Sequence, residues 1–513
     1  MKTNGKVNEK NNGKANEKVK ECGVLLAVTS LPSPYGVGTL GKAAYDFIDL
    51  LKETGQKYWQ MLPVNQTGFG DSPYAAVSVY AGSEYLIDLD ILCEKGYLKS
   101  DELVSLKKQK NAEKVDYGEL YRERKKILKK AFNRYFYKCL HSHSGISELK
   151  KFAAENEWVA PYALFRALKE EYCGAPWLLW SERDKKGERE IDEYDLYSVA
   201  EGVFLQAEFY SQYAALKAYA AENGIKIIGD LPIYPALDSA EVWHEKRFFD
   251  LDKKTFYPER VAGVPPDYFS QDGQLWGNPV YDWKKLKKSG YSFWIKRVNG
   301  ALKLYDVLRL DHFRGFESFY SIPYGNTDGR IGEWQKGGGN DFIRALNENF
   351  DKSDFIAEDL GIITPEVEKL LKKSGYPGMK VLQFAFSFDE ANPYLPKNHV
   401  YNSVVYTGTH DNDTLAGWLS SLDESTRRYV CDVLKISEKS SDFKVVDGMI
   451  KAAMQSKAKL AIVPFQDYLR IGSKGRMNVP SSSQGNWTWR IKSGKYTPAL
   501  KKRMLYFSKM REE

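Results

Sequence analysis

Three apolar runs in this sequence each end on an acidic residue, and they lie far apart in the chain. They are VLRLDHFRG (307–315), FIAEDLG (355–361) and YTGTHDND (406–413). A hydrophobic run that stops on an ionisable side chain is typical of a buried parallel strand that delivers a working group to the rim of a barrel. We therefore take the carboxylates at these ends as candidate catalytic residues.

The first segment places a cation beside its carboxylate. Arg309 and Asp311 are two residues apart, so on a strand their side chains point to the same face. We expect the guanidinium to lower the pKa of Asp311 and to keep it ionised, which suits a nucleophile. A structural ion pair at a strand end would give the same pattern.

The other two segments leave alternatives open. Glu358 and Asp359 are adjacent, and a period of two cannot say which of them points inward. His410 and Asp411 directly follow an apolar run, where they suit hydrogen bonding to a polar ligand or a capping network at the strand end. Cleavage of a glycosidic bond requires two carboxyl groups, one ionised and one protonated. The three segments together favour that chemistry.

The elements that position these residues follow from short apolar runs bounded by turn residues. Helical patterns at 43–54 and 365–374 lie between such runs, so strands and helices alternate and predict a parallel sheet. An open doubly wound sheet would alternate in the same way, but the sequence has neither a GxGxxG after the first strand nor a GKS/GKT loop. We predict an α/β fold, a (β/α)8 TIM barrel. Its eight candidate strands are 23–28, 57–63, 226–233, 305–311, 354–358, 380–386, 403–409 and 460–465.

The alternation is interrupted twice. We predict that residues 1–21 form a disordered tail rich in Lys and Asn, that 22–85 hold the first two strands, and that 86–223 form an inserted helical subdomain. The remainder of the barrel, 224–513, contains a loop insertion at 237–283 that is rich in Gly, Pro, Asp and aromatic residues. Long loops of this kind after a barrel strand usually belong to the active site.

Composition excludes several classes of function. The first twenty residues contribute +4 of the formal net charge of +7, so the rest of the chain is nearly neutral and nucleic-acid binding gains no support. No apolar stretch is long enough to cross a membrane, and no secretory or organellar signal is recognisable, so we expect a cytoplasmic protein. Five scattered cysteines and six histidines show no metal-binding spacing, and we predict no metal and no cofactor. The 34 Tyr and 12 Trp suit carbohydrate rings.

Further motifs carry a resemblance to a known family. They are SPY (72–74), GDLPIY (229–234), AGVPPDYFSQDGQLWGNPVYDW (262–283), RMNVP (476–480) and GNWTWR (485–490). Together with the three acidic segments, they closely resemble the amylomaltases, the 4-α-glucanotransferases of glycoside hydrolase family 77. The resemblance implies a (β/α)8 barrel of the α-amylase clan. It also implies a retaining reaction that moves a stretch of α-1,4-glucan from maltooligosaccharides, starch or glycogen to another glucan or to glucose.

The resemblance further implies a role for each matching residue. Asp311 would be the nucleophile, Glu358 the general acid/base and Asp411 the stabiliser of the transition state. The remaining substrate-binding residues that it implies are Ser72, Tyr74, Asp267, Phe269, Gln274, Trp276, Arg309, His312 and His410. Of these, Tyr74 would stack beneath the sugar, and the stretch from Asp267 to Trp276 would arch over the acceptor side. A plain α-glucan hydrolase, a noncatalytic glucan-binding protein and a phosphate-handling barrel are the alternatives.

Overall fold

Eight parallel strands close into a barrel in the computed structural model, which describes residues 19–68, 70–109, 113–141, 144–189, 193–266, 270–480, 482 and 484–512. In order around the barrel, these strands are β1 (Glu21–Leu25), β2 (Tyr58–Gln60), β3 (Lys226–Leu231), β6 (Val307–Leu310), β9 (Phe355–Ala357), β10 (Gly378–Val381), β11 (Ser403–Tyr406) and β12 (Leu460–Pro464). The last of them, β12, pairs with β1 and closes the barrel. The prediction of a (β/α)8 TIM barrel is therefore confirmed.

Every predicted barrel strand overlaps an observed one, but the observed strands are shorter at their carboxyl ends. The predicted strand at 380–386 begins earlier, at Gly378, and ends at Val381 because Leu382–Phe384 turn into a 3-10 helix. Chain that leaves the sheet at this end forms the loops on which the active sites of TIM barrels are built.

A second, antiparallel sheet lies outside the barrel, and the sequence did not predict it. It is formed by β4 (Arg260–Val264), β5 (Gln274–Pro279), β7 (Ser318–Pro323) and β8 (Glu333–Lys336), in the order β5, β4, β7, β8. Two of its strands fall inside the interval 237–283, which the sequence indicated as an irregular loop. Some of the glycines and prolines that indicated a loop lie within these strands, such as Gly263 in β4 and Gly277 in β5. The sheet forms because β4 pairs with β7, which follows β6 in the chain.

Buried apolar side chains of the helices and of the outward faces of the strands form one large core cluster. The helices are α1 (Lys42–Glu53), α2 (Leu89–Glu94), α3 (Tyr117–Glu119), α4 (Lys125–His141), α5 (Ser144–Glu155), α6 (Val159–Glu171), α7 (Glu182–Lys186), α8 (Glu193–Glu222), α9 (Ala240–His244), α10 (Trp283–Lys288), α11 (Ser292–Leu304), α12 (Gly339–Asn349), α13 (Pro365–Ser374), α14 (Leu415–Ser421), α15 (Glu424–Leu434), α16 (Asp442–Gln455), α17 (Phe465–Leu469) and α18 (Pro498–Glu512). The predicted helices at 43–54 and 365–374 correspond to α1 and α13.

The long interval between β2 and β3 is helical wherever it forms regular structure, from α2 to α8. Arg166 on α6 joins this region to the chain after β2, with Nε 2.7 Å from the Glu84 carboxylate and Nη2 3.5 Å from that of Glu201 on α8. The predicted tail lies outside the described residues up to residue 18, and Glu21, its last residue, begins β1. Within the described chain, no helix has the length and apolar character that crossing a membrane requires.

The interior of the barrel is a packed apolar core. Its buried side chains alternate with those that face the helices, as the pleat of the strands requires. The interior cluster consists of Leu25, Tyr58, Ile228, Ile356, Met379, Val381, Val404, Tyr406, Leu460 and Ile462. Because apolar side chains fill the barrel along the strands, the polar side chains that follow the strands lie above this core, at the carboxyl-terminal rim.

Candidate active site

The three acidic segments meet at the carboxyl-terminal rim of the barrel. Asp311 directly follows β6, Glu358 directly follows β9, and Asp411 lies in the segment 407–414 that follows β11. Strands β6 and β9 are neighbours in register, with Leu310 opposite Ala357, so the residues after them lie side by side. The barrel thus brings together residues that are 100 positions apart.

Arg309 joins the end of β6 to the end of β3. Its Nη1 donates to both carboxylate oxygens of Asp230, at 2.7 and 2.8 Å, and to Oδ1 of Asp311, at 3.1 Å. Asp230 and Arg309 are opposite each other in the register of β3 and β6, and both are buried. The arginine therefore fixes the position of the Asp311 carboxylate from below.

The pKa of Asp311 differs from the sequence-based expectation, although its charge at neutral pH does not. Burial raises the pKa of Asp311 to about 6, and the attraction of Arg309 only partly offsets it. The predicted net lowering of this pKa is wrong, because removal of the carboxylate from water outweighs one favourable ion contact at this site. With a pKa of about 6, Asp311 is still ionised at neutral pH.

Glu358 is held by the backbone around it. Its Oε2 accepts a hydrogen bond from the backbone N–H of His312 at 2.6 Å, and its Oε1 accepts one from Leu360 at 3.1 Å. Burial raises the pKa of Glu358 to about 8, and the negative charge of nearby Asp311 adds to the effect. At neutral pH, Glu358 is thus protonated while Asp311 is ionised.

The neighbouring carboxylate faces away from this pair. Oδ1 of Asp359 accepts the backbone N–H of Met379 at 2.6 Å, and its Oδ2 lies 3.8 Å from Nζ of Lys380, both on β10. Since side chains alternate along a strand, only one of the two adjacent acids can face Asp311. The structure assigns that direction to Glu358.

Asp411 is held in place from two sides. Asn478 Nδ2 donates to its Oδ1 at 2.6 Å, and Nε2 of His410 lies 3.3 Å from its Oδ2. Arg476 donates to its backbone carbonyl at 2.8 Å. Burial raises the pKa of Asp411, but the interactions with His410 and Asn478 prevail and hold it below its ordinary value. This third carboxylate therefore remains ionised.

Three rings, those of Tyr74, His410 and Trp487, pack together beside the carboxylates. The Tyr74 ring stacks on the His410 ring, with centroids 5.1 Å apart and planes 21° apart, and its hydroxyl donates to Oδ2 of Asp230 at 2.7 Å. The Trp487 ring lies 5.7 Å from that of Tyr74. Ser72 accepts the backbone N–H of Tyr74 at 3.3 Å, so it shapes the turn that presents the ring.

His312 adopts a left-handed backbone conformation, with φ of 47°. Its ring meets the edge of the Trp276 ring, with centroids 4.9 Å apart, and its buried Nε2 has no hydrogen-bond partner among the described residues. Burial lowers the pKa of His312 to about 4, so the imidazole is neutral. An unpaired buried ring nitrogen beside the carboxylates suits a hydroxyl group of a ligand.

The predicted acceptor-side residues lie on β5 and before it. Gln274 begins β5, and its Oε1 accepts a hydrogen bond from Nε1 of Trp276 at 3.2 Å. The Trp276 side chain is 37% exposed, which leaves part of its ring open to a ligand. Asp267 and Phe269 lie outside the described residues.

Sequence reasoning missed the roles of Asp230, Asn478 and Trp487 in this site. A signal for Asp230 existed, since it lies near the end of the buried strand Lys226–Leu231, much as Asp311 follows β6. Asn478 and Trp487 come from irregular chain after β12, and no periodicity indicated where they would lie. Among the described residues, no group of three or more His, Cys, Asp and Glu side chains is arranged to hold a metal ion.

Fold and site together define a TIM-barrel enzyme with its carboxylates at the carboxyl-terminal face. The model of glycoside hydrolase family 77, described as 4-alpha-glucanotransferase, matches residues 26–496. The chain belongs to this family.

Individual relatives agree with that assignment. A 4-alpha-glucanotransferase of Clostridium butyricum is 42% identical over 479 residues, which cover 92% of this chain and 96% of the relative. That of Thermus thermophilus is 44% identical over 489 residues, covering 93% and 95%. The solved amylomaltase of Streptococcus agalactiae, in complex with acarbose, superposes with a TM-score of 0.90 at 34% identity and covers 96% of this chain and 99% of that one. The predicted family and activity are confirmed.

Proposed function

We propose that Asp311 and Glu358 are the nucleophile and the general acid/base of the 4-α-glucanotransferase reaction in this chain. One observation carries the assignment. The two carboxyl groups follow adjacent strands in register, and burial raises their pKa values to different extents, so that near neutral pH one is ionised and the other protonated. This is the pairing that a retaining double displacement needs.

The first step forms a covalent intermediate. Glu358 gives its proton to the glycosidic oxygen of an α-1,4-glucan, while Asp311 attacks the anomeric carbon. The bond between that carbon and the leaving oxygen breaks, a bond to a carboxylate oxygen of Asp311 forms, and the reducing-end fragment leaves with a new 4-hydroxyl group. Arg309 keeps the attacking carboxylate in place.

The second step uses the same residues in reverse. Glu358, now ionised, takes the proton from the 4-hydroxyl of an acceptor glucan or of glucose. The acceptor oxygen attacks the anomeric carbon, the ester bond to Asp311 breaks, and the new α-1,4 bond retains the original configuration. Both carboxyl groups return to their starting states.

The surrounding residues would bind the reacting sugar ring. Asp411, with its low pKa, offers an ionised acceptor for ring hydroxyls and for positive charge in the transition state. The ring of Tyr74, on which His410 stacks, offers a flat apolar surface, and Nε2 of His312, which has no partner among the described residues, offers a hydrogen bond.

Transfer instead of hydrolysis requires that sugar reaches the intermediate more readily than water. We assign this exclusion to the stretch 267–276, of which the exposed Trp276 ring borders His312. We infer that the substrates are maltooligosaccharides and the α-1,4-glucans of starch or glycogen, with glucose as the smallest acceptor. The similar amylomaltase of Streptococcus agalactiae was solved in complex with acarbose, which supports a carbohydrate ligand for this chain.

The decisive experiment combines product analysis with trapping. Incubation with maltotriose is expected to give glucose together with a ladder of longer maltooligosaccharides, while glucose and maltose alone would indicate a hydrolase. Asp311→Asn and Glu358→Gln should abolish the ladder. Asp359→Asn is the matched control, because this adjacent carboxylate faces β10, and we expect it to retain the ladder.

Trapping distinguishes the two roles. With α-maltosyl fluoride, whose fluoride leaves without a proton, Glu358→Gln should accumulate a maltosyl ester on Asp311 that mass spectrometry of a proteolytic digest locates. Asp311→Asn should form no such ester. An ester on another carboxylate would refute the assignment of the nucleophile.

A further inference from the structure

A buried carboxylate that the reaction does not use lies behind the segment of Asp411. Asp467 belongs to the short helix α17, which directly follows β12, the strand next to β11 in the barrel. Its side chain is 1% exposed. A carboxylate removed from water in this way requires hydrogen-bond partners that compensate for the free-energy cost of its burial.

Each of its two oxygens accepts a hydrogen bond, and the two donors are eight residues apart. The hydroxyl of Thr407 donates to Oδ2 at 2.7 Å, and the backbone N–H of Leu415 donates to Oδ1 at 2.8 Å. Thr407 is the first residue after β11, and Leu415 is the first residue of α14. One carboxylate therefore holds both ends of the segment 407–414.

This segment carries His410 and Asp411, and its middle is restrained separately. Oδ1 of Asn412 accepts the backbone N–H of Thr409 at 2.9 Å, and Ser473 donates to Oδ2 of Asp413 at 2.6 Å. These contacts shape the loop, but they do not fix it to the barrel at the points where it leaves β11 and enters α14.

We propose that Asp467 is a positioning residue, which sets the segment 407–414 so that Asp411 and His410 face the sugar. It touches neither substrate nor reacting atoms, and its effect passes through the two ends of the segment. The inference rests on the role proposed above for Asp411. It adds a residue from the helix that follows the last barrel strand to the group of residues that follow β11.

The chemistry of the two donors explains why a hydrogen-bond acceptor occupies this position. An ionised carboxylate only accepts hydrogen bonds, so it can serve a hydroxyl and an N–H at once. Burial raises the pKa of Asp467 to about 6 and Asp413 adds to this, while its two hydrogen bonds and Arg503 oppose it. An asparagine can still accept from Leu415 and donate to a reoriented Thr407 hydroxyl, whereas a leucine can do neither.

The test compares variants at both partners. Asp467→Leu should lower kcat by about thirtyfold, because the Leu415 N–H is left buried without an acceptor. Asp467→Asn should stay within about threefold of the parent, since an asparagine can serve both partners. Thr407→Val should lose about fivefold by removing one hydrogen bond, and Thr407→Ser should restore the parental value.

A control separates positioning from a general loss of stability. Asp184 on α7 is also 1% exposed and accepts hydrogen bonds from Tyr172 at 2.6 Å and Ser181 at 3.0 Å, but it lies in the helical region between β2 and β3. Asp184→Leu should lower the melting temperature and leave kcat of the folded enzyme unchanged. An equal fall of kcat in Asp184→Leu and Asp467→Leu would overturn the proposal.

A double-mutant cycle tests whether the effect passes through Asp411. Thr407→Val introduced into an Asp411→Asn enzyme should cost less than a twofold further loss of kcat, because the group it positions is already impaired. The same fivefold loss in both backgrounds would overturn the proposal. Parental activity in Asp411→Asn alone would instead refute the role proposed for Asp411, so the two failures are distinguishable.

Discussion

Near neutral pH Asp311 is ionised and Glu358 is protonated, and this difference predicts a bell-shaped dependence of kcat/KM on pH. Asp311 must be ionised to attack, so activity is lost as the pH falls through its pKa of about 6. Glu358 must be protonated to assist the leaving group, so activity is lost as the pH rises through its pKa of about 8. The two limbs belong to the interacting pair and not to either residue alone.

The size of the effect follows from these two values. If the pair titrates with apparent pKa values of about 6 and about 8, about 0.8 of the enzyme is in the active form at pH 7. At pH 5 and at pH 9 this fraction is only about 0.09. We therefore expect kcat/KM to fall about ninefold on each side of an optimum near pH 7.

The measurement is the initial rate of glucose release from maltotriose at concentrations well below KM, with aliquots quenched and assayed at one fixed pH. Circular dichroism at each pH controls for unfolding. In Asp411→Asn both limbs should persist at a lower rate, because this residue does not exchange the catalytic proton. A constant kcat/KM from pH 5 to pH 9, or two limbs that both lie below pH 5, would refute the assignment of proton states.

Three substitutions test the supports of the site. Arg309→Lys should lower kcat/KM about a hundredfold, since a lysine cannot reproduce the contacts to Asp230 and leaves a buried charge poorly paired; an unchanged rate would contradict this. Tyr74→Phe keeps the ring but removes the hydrogen bond to Asp230, and kcat/KM should fall about tenfold in the maltotriose assay. Gly229→Ala should lower stability by about 2 kcal/mol, because the added methyl group would lie 2.1 Å from the ring of Tyr305. A melting temperature equal to that of the parent would show that the ring moves aside freely.

The sequence was most informative for features of the fold that also produce a local pattern of residues. A strand buried on both faces must be apolar along its length, so all eight barrel strands were recognisable, and the acids that end β6 and β9 stood out against them. The small sheet of β4, β5, β7 and β8 was not recognisable. Two of its paired strands, β4 and β7, are separated in the chain by β6, and nothing local in residues 260–264 indicates a partner at 318–323.

The proton affinities could not be predicted from neighbours in the chain. Arg309 beside Asp311 indicated a lowered pKa, but the pKa depends on how much water the whole barrel rim excludes, and burial prevailed. In the same way, Asp230 and Asn478 reach the site from β3 and from the chain after β12. Their roles depend on distances that exist only after the barrel has closed.

By itself, the order of residues determined the alternation of strands and helices, the barrel that this alternation closes, and the acidic side chains that its strands deliver to one rim. Spacing left Glu358 and Asp359 open, and the family resemblance pointed to Glu358. Only the tertiary structure decided how the two side chains are directed, with Asp359 bonded to β10, and that Asp467 holds the segment of Asp411. Periodicity is a property of one element and can be read along the chain. The direction of a side chain, its charge and its distant partners depend on the packing of elements far apart in sequence.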